Sequence, residues 1–164
     1  MMSHGTMSFV AGLLVALSSG PAFPQASAIP DECDLYTYRA TVTRVIDGDT
    51  VVADIDLGFH VWKHGERLRL YGIDTPEIRG ETRQEGLRAA EALRELVEGK
   101  DVLLCTVKDC ADGFGRYLAR IFVIDDKPFS VNAWLILNGY AVPYVPKGRC
   151  KAETPVGELE GFND

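Results

Sequence analysis

The first 28 residues of this 164-residue chain contain no Asp, Glu, Lys or Arg, and their apolar run from Phe9 to Leu17 is too short to span a bilayer. The run ends in Ser18, Ser19, Gly20 and Pro21, and Ala26-Ser27-Ala28 has the small side chains of a processing site. Residues 1–28 are therefore expected to be a signal peptide or an apolar leader, with the mature chain starting near Ile29 and the protein secreted or periplasmic. The n-region holds His4 but no Lys or Arg, which leaves an uncleaved anchor as the alternative. Cations are in deficit over the rest of the chain. There are 17 Lys and Arg against 24 Asp and Glu, a formal charge of −7, the wrong sign for holding nucleic acid by bulk electrostatics, so such a partner requires a local basic site.

Cysteine is sparse as well. Cys33, Cys105, Cys110 and Cys150 fit an exported protein with two disulfides, for which three pairings exist, a bridge between the domain ends from Cys33 to Cys150 being one. Together with His60 and His64 they match no tight zinc knuckle. At 46% hydrophobic and 25% charged the main body is globular rather than disordered or fibrous. The length fits one domain, expected over 29–146, followed by a mobile tail over 147–164 where Pro155 and Gly157 interrupt any periodicity.

Tyr36 to Ile46 is rich in β-branched and aromatic residues and reads as a strand. Asp47-Gly48 then predicts a type I′ hairpin turn, with Thr50 to Ile55 returning. A third strand is expected over Glu66 to Ile73, after a loop from Gly58 to Gly65, and proline stops it at Asp74-Thr75-Pro76-Glu77. Thr82 and Glu85 form a capping-box pattern ahead of a helix that Gly99 closes, with Leu87, Ala90, Leu93, Leu96 and Val97 as its apolar stripe. Val102 to Val107 and Tyr117 to Ile124 read as strands, and Ser130 to Gly139 as a short helix burying Val131, Trp134, Leu135 and Leu137. This order predicts a mainly β protein, a five-stranded OB-fold barrel with one inserted helix and one short C-terminal helix.

Acidic residues gather at strand ends, Asp47 and Asp49 at the first turn and Asp74 with Glu77 after the third strand. If the second and third strands pair, Asp49 and Asp74 converge at one rim as hard oxygen donors of the kind Ca²⁺ prefers. Arg69 has opposite parity to Leu68 and Leu70, so its side chain leaves the core and is placed to clamp phosphate oxygens. Arg116 re-enters a strand after Phe114-Gly115, a second edge position. Two guanidiniums, a divalent cation and a carboxylate that acts on water are what phosphodiester hydrolysis requires.

The segments Val45-Ile46-Asp47-Gly48-Asp49-Thr50, Arg69-Leu70-Tyr71-Gly72-Ile73-Asp74-Thr75-Pro76-Glu77 and Gly115-Arg116-Tyr117-Leu118-Ala119 resemble, in order, the signature blocks of the staphylococcal nuclease, or thermonuclease, family. Val131-Asn132 to Gly139-Tyr140-Ala141 resembles its short helix and following turn, and the likeness runs from about Tyr38 to Tyr144. The resemblance implies Ca²⁺ held by the carboxylates of Asp49 and Asp74 and the carbonyl of Thr75. It implies Arg69 and Arg116 on the scissile phosphate, Glu77 acting on the nucleophilic water, and Tyr144 as an aromatic wall of the nucleotide pocket. Asp47 is read as turn-forming. The implied activity is an endonuclease acting on DNA and RNA with little sequence selectivity and leaving 3′-phosphates. From the acidic balance, single strands are the expected preference, with a monomeric chain and no stable protein partner.

Gly113 and Phe114 stand where family members often carry Lys and Tyr, and no long basic helix follows Pro146. Phe59 and Trp62, in a lengthened second hairpin, are expected to pack on the barrel rather than stack bases. A non-catalytic OB-fold module binding nucleic acid or protein, and a barrel merely stabilised by Ca²⁺ and disulfides, are the competing readings.

Overall fold

In the computed structural model, residues 33, 36–124 and 128–144 are described, the side chains of 108–111 excepted. The leader 1–28, the tail 147–164 and the side chains of Cys110 and Cys150 lie outside the described residues. The elements are β1 (Thr37–Asp47), β2 (Thr50–Asp56), β3 (Trp62–Leu70), β4 (Ile73–Asp74), α1 (Arg83–Val97), β5 (Asp101–Ala111), β6 (Tyr117–Val123), β7 (Phe129–Ser130), α2 (Val131–Leu137) and β8 (Val142–Pro143). Strands β3-β2-β1-β5-β6 pair in that order, and a parallel pairing of β3 with β6 closes them into the five-stranded barrel expected of an OB-type fold.

Alternation along the strands sends Val42, Val51, Ala53, Ile55, Leu68, Leu70, Val102, Leu104 and Ile121 into one core, completed by Leu93 and Val97 of α1 and Val131 and Leu135 of α2. Helix α1 packs against β1 and α2. Its buried face is mostly small, Gly86, Ala89, Ala90 and Ala92 beside Leu93 and Val97, so the helix approaches closely, and Leu87, expected inside, is 42% exposed. Leu137 likewise faces out, at the last turn of α2. Among the described residues no helix is long and apolar enough to cross a membrane.

Several local expectations are corrected. The first hairpin forms, but Asp47 pairs with Thr50, so Gly48 and Asp49 are its central residues, and neither has positive φ. The turn is therefore not type I′. Gly48 is required for space, since a Cβ there would stand 2.7 Å from Thr75 Oγ1 and 2.8 Å from Ala89 Cβ. Strand β3 begins at Trp62 rather than Glu66, because a bulge at Gly65 (φ 69°) lets pairing with β2 continue past the glycine. The connecting loop shrinks accordingly, and Phe59, with φ 52°, is 99% exposed rather than packed on the barrel. Trp62 is 47% exposed and stacks on His64. The third strand ends at Leu70, and Ile73–Asp74 form a separate strand pairing with β8. Thr82 precedes α1 but makes no side-chain cap; its hydroxyl donates to the Glu77 carbonyl at 3.4 Å. Cys33 is bonded to Cys105 rather than to Cys150, which ties the start of the barrel to β5 over the buried ring of Phe122.

Asn132, fully buried in α2, accepts from Ile121 N–H at 3.0 Å and donates to the Tyr71 carbonyl at 2.8 Å. It joins α2, β6 and the turn after β3. Replacing it, Asn132→Ala, strips both groups of their partner and should lower stability by about 1–3 kcal/mol for each group left unpaired, measured as a fall in the urea midpoint at constant m-value.

Candidate active site

The turn between β1 and β2 carries Asp49 inward. Its side chain is 4% exposed, and all its polar contacts come from residues of the neighbouring strands and loops. Arg69 Nη1 and the Thr50 hydroxyl, the latter at 3.2 Å, donate to Oδ1, and the backbone N–H and hydroxyl of Thr75 donate to Oδ2 at 3.3 and 3.2 Å. Burial pushes the Asp49 carboxyl above the usual carboxylate range, the Arg69 charge pulls the other way, and nearby Asp47 adds to the rise. Asp47 accepts the Asp49 N–H at 3.2 Å, the turn-forming role expected of it.

Arg69 leaves β3 on the face away from the core, as its parity requires, and places Nη2 2.6 Å from Asp74 Oδ1. One guanidinium thus bridges Asp49 and Asp74, which fixes the two carboxylates on either side of a single cationic group. Asp74 is half exposed. The loop after it packs closely on two glycines, Gly48 against the Thr75 side chain and Gly86 of α1, where a Cβ would fall 2.6 Å from the Pro76 carbonyl oxygen. This seating holds Pro76 and Glu77 at the cleft. Among the described residues the Glu77 carboxylate has no hydrogen-bond or ion-pair partner.

Arg116 is held from its own turn. Asp112 accepts its backbone N–H at 2.9 Å, Nε at 2.6 Å and Nη2 at 2.5 Å, while Nη1 donates to the Thr50 hydroxyl at 2.9 Å. Desolvation raises the Asp112 carboxyl, but the Arg116 backbone and side-chain hydrogen bonds and the Phe114 N–H outweigh it and hold the group below the usual range. Asp112 was not singled out from the sequence; its spacing of four from Arg116 across a Gly-rich turn was the available signal. Tyr144 arrives through the pairing of β8 with β4, its N–H donating to the Gly72 carbonyl at 2.9 Å, and it is 43% exposed rather than buried.

These side chains line two adjoining clefts. One of about 460 Å³ is walled by Asp74, Asp112 and Tyr144, the other, of about 340 Å³, by Asp47, Asp49, Arg67 and Thr75. Arg69, Glu77, Phe114 and Arg116 line both. The donor set suits a hard, oxygen-seeking divalent cation, since two carboxylate oxygens already converge on one positive group. Those two carboxylates are all that the side chains supply, since among the described residues no group of three or more His, Cys, Asp or Glu could hold a metal ion, so a cation would depend on backbone carbonyl and water for the rest of its shell.

Residues 67–160, more than half of the chain, match the family described as staphylococcal nuclease homologue. The chain belongs to the staphylococcal nuclease homologue family. It is 31% identical over 153 residues to protein ParB of Escherichia coli, covering 90% of this chain and 73% of that protein. It is 28% identical over 138 residues to an uncharacterized protein of Methanocaldococcus jannaschii, covering 71% of this chain and 64% of that one. It is also 34% identical over 88 residues to the thermonuclease of Staphylococcus intermedius, covering 52% of this chain and 49% of that enzyme. The chain thus spans about half to three quarters of these relatives. In this nuclease-like fold the family match begins within β3, so Asp49 and its turn lie ahead of it, whereas Arg69, Asp74, Glu77 and Arg116 lie inside it.

Gly86→Ala should destabilise the protein by about 1–3 kcal/mol, since the new methyl meets rigid backbone, while Gly113→Ala, with open space around it, should stay within about 0.5 kcal/mol; urea denaturation of the pair checks the contrast. Because the Asp112 carboxyl is held low, its contribution is present above the ordinary carboxylate range and is lost as pH falls through the lowered value. The melting-temperature gap between wild type and Asp112→Asn should therefore be largest near neutrality and close on acidification.

Proposed function

We propose that this chain is an exported, Ca²⁺-dependent endonuclease that hydrolyses phosphodiester bonds of DNA and RNA with low sequence selectivity and leaves 3′-phosphates. The observation that carries the reading is the wall common to both clefts, where two anchored guanidiniums and one carboxylate, Glu77, unpartnered among the described residues, face the same space. A binding module has no need of that carboxylate, which repels phosphate unless it has work to do on water.

Arg69 and Arg116 hold the non-bridging oxygens of the scissile phosphate, and their charge stabilises the phosphorane-like transition state as negative charge builds. Glu77 orients the attacking water and accepts its proton as the new P–O bond forms. The P–O5′ bond breaks, the leaving oxygen takes up a proton from solvent, and the phosphate stays on the 3′ side. Ca²⁺, held by the Asp49 and Asp74 carboxylates and the Thr75 carbonyl, would supply Lewis-acid polarisation of the phosphate and take over from Arg69 the neutralisation of those carboxylates. Tyr144 offers a ring to the sugar or base on the larger-cleft side. The cleft is small and the surface acidic, which favours single or frayed strands over long duplexes. Export rests on the charge-free leader.

Digestion of single-stranded DNA by the chain from Ile29 should require Ca²⁺ and stop with chelator. Glu77→Gln and Arg116→Ala should each lower turnover by roughly 10²-fold or more; Glu77→Gln should keep the wild-type melting temperature, whereas Arg116→Ala, which strips Asp112 of its side-chain partner, should lower it while keeping a cooperative transition. Near-normal turnover in both variants would overturn the assignment of Glu77 and Arg116 to the chemistry, whereas no cleavage by wild type while Ca²⁺ still raises the melting temperature would replace the enzyme with a binding or structural module. Rates should fall steeply with added salt.

A further inference from the structure

Directly opposed residues of an antiparallel pair share a face. Thr50 opposes Arg69, Val52 opposes Arg67 and Asp56 opposes Trp62, so Arg69, Arg67 and Trp62 all lie on the outer face of β3 although their spacing in sequence changes parity. The bulge at Gly65 accounts for the change. His64 joins the same face, bonded to Asp54 at 2.9 Å and stacked on Trp62 with centroids 6.1 Å apart and planes 9° from parallel.

Arg67 differs from the two site arginines in its pairing. Arg69 is spent on Asp49 and Asp74, and Arg116 on Asp112. Arg67 is exposed, lines the smaller cleft, and among the described residues has no hydrogen-bond or ion-pair partner. It stands two residues from Arg69, about 7 Å along the strand, a step that suits a neighbouring phosphate. Farther out the face carries Asp54, bonded to His64, and Asp56, set opposite Arg39 of β1, so carboxylates and cations alternate there and phosphate gains no net attraction. What it offers instead is a flat, half-exposed indole whose orientation is fixed by the stack with His64.

We propose that the substrate strand leaves the cleft along the outer face of β3, where Arg67 takes the adjacent phosphate and the Trp62–His64 stack takes a base farther along. The inference rests on the nucleic-acid reading of the cleft and deepens it. It makes single strands the preferred substrate, because only an unpaired base can lie on the indole. It also supplies the local positive charge that an acidic chain needs.

The test uses binding rather than turnover. Full-length Glu77→Gln in Ca²⁺ is titrated against a fluorescein-labelled single-stranded 12-mer and a labelled dinucleotide, each alone and with Arg67→Ala or Trp62→Ala added. Both additions should weaken the 12-mer about tenfold more than the dinucleotide. Arg67→Ala should also reduce the slope of log affinity against log salt by about 0.7, and Trp62→Ala should leave that slope in place. Both residues are exposed, and unchanged melting temperatures confirm intact folding. Equal losses for the two lengths, or no loss for either variant, would overturn the strand path even if the wild type cleaves DNA. A wild type that cleaves nothing but shows the length-dependent losses would remove the hydrolase reading and keep the path.

Discussion

A single buried carboxylate, that of Asp49, organises everything around it. Its two oxygens receive hydrogen bonds from Arg69 on β3, Thr50 at the start of β2 and both the backbone and hydroxyl of Thr75 after β4. Arg69 extends the linkage to Asp74, and the Thr50 hydroxyl, which donates to Asp49, accepts from Arg116. A charge placed in such low exposure is costly unless its lone pairs are filled, and here filling them requires the first turn, the third strand and the β4 loop to meet at one point. The upward pressure on its protonation is the electrostatic sign of that cost. Closure of the barrel by β3 and β6 is what brings the donors close enough, since it sets Arg69 beside Leu118, two residues past Arg116.

The charge distribution resolves the apparent conflict between a formal charge of −7 and an anionic substrate. Carboxylates here are largely scaffolding for guanidiniums. Asp112 fixes the fork of Arg116 through three donors, and Asp49 with Asp74 fixes that of Arg69. Anchored in this way, the two arginines lose little rotamer freedom when they meet an anion, which raises the specificity of the contact while lowering its net attraction. Long-range attraction must then come from charge that is not already paired, and at the edge of the smaller cleft Arg67 is such a charge among the described residues.

Much of this was legible from pattern. Alternating β-branched residues placed β1, β2, β5 and β6 within a few residues, and the parity of Arg69 against Leu68 and Leu70 placed its side chain outside the core. The convergence of Asp49 and Asp74 followed from the pairing of β2 with β3. What pattern missed depended on contacts far away in sequence. Gly48 looked like a glycine chosen for positive φ, but it is there because Thr75 and Ala89 leave no room for a Cβ. The Trp62 end of β3 was hidden by a one-residue bulge that reverses alternation, and the Asp112 anchor needed the turn geometry to be seen. Cys33 could not be assigned a partner because three pairings are equal until β1 and β5 are known to be neighbours.

The inserted helix acquires its reason from the same logic. A barrel can close without α1, yet the Thr75–Glu77 segment would then have nothing behind it. Gly86 lets the helix backbone lie directly on the Pro76 and Glu77 carbonyls, Gly48 lies against the side chains of Thr75 and of Ala89 in the same helix, and Thr82 donates to the Glu77 carbonyl from the helix start. A segment packed this closely on backbone can hold a carboxylate such as Glu77 without a side-chain partner among the described residues. That separation matters for acid–base work, because a carboxylate positioned by its own hydrogen bonds has given up the lone pairs it needs for water. On the proposed reading, positioning Glu77 through the main chain leaves its oxygens available for water, and the close packing of Gly86 on the Pro76 and Glu77 carbonyls is what does the positioning.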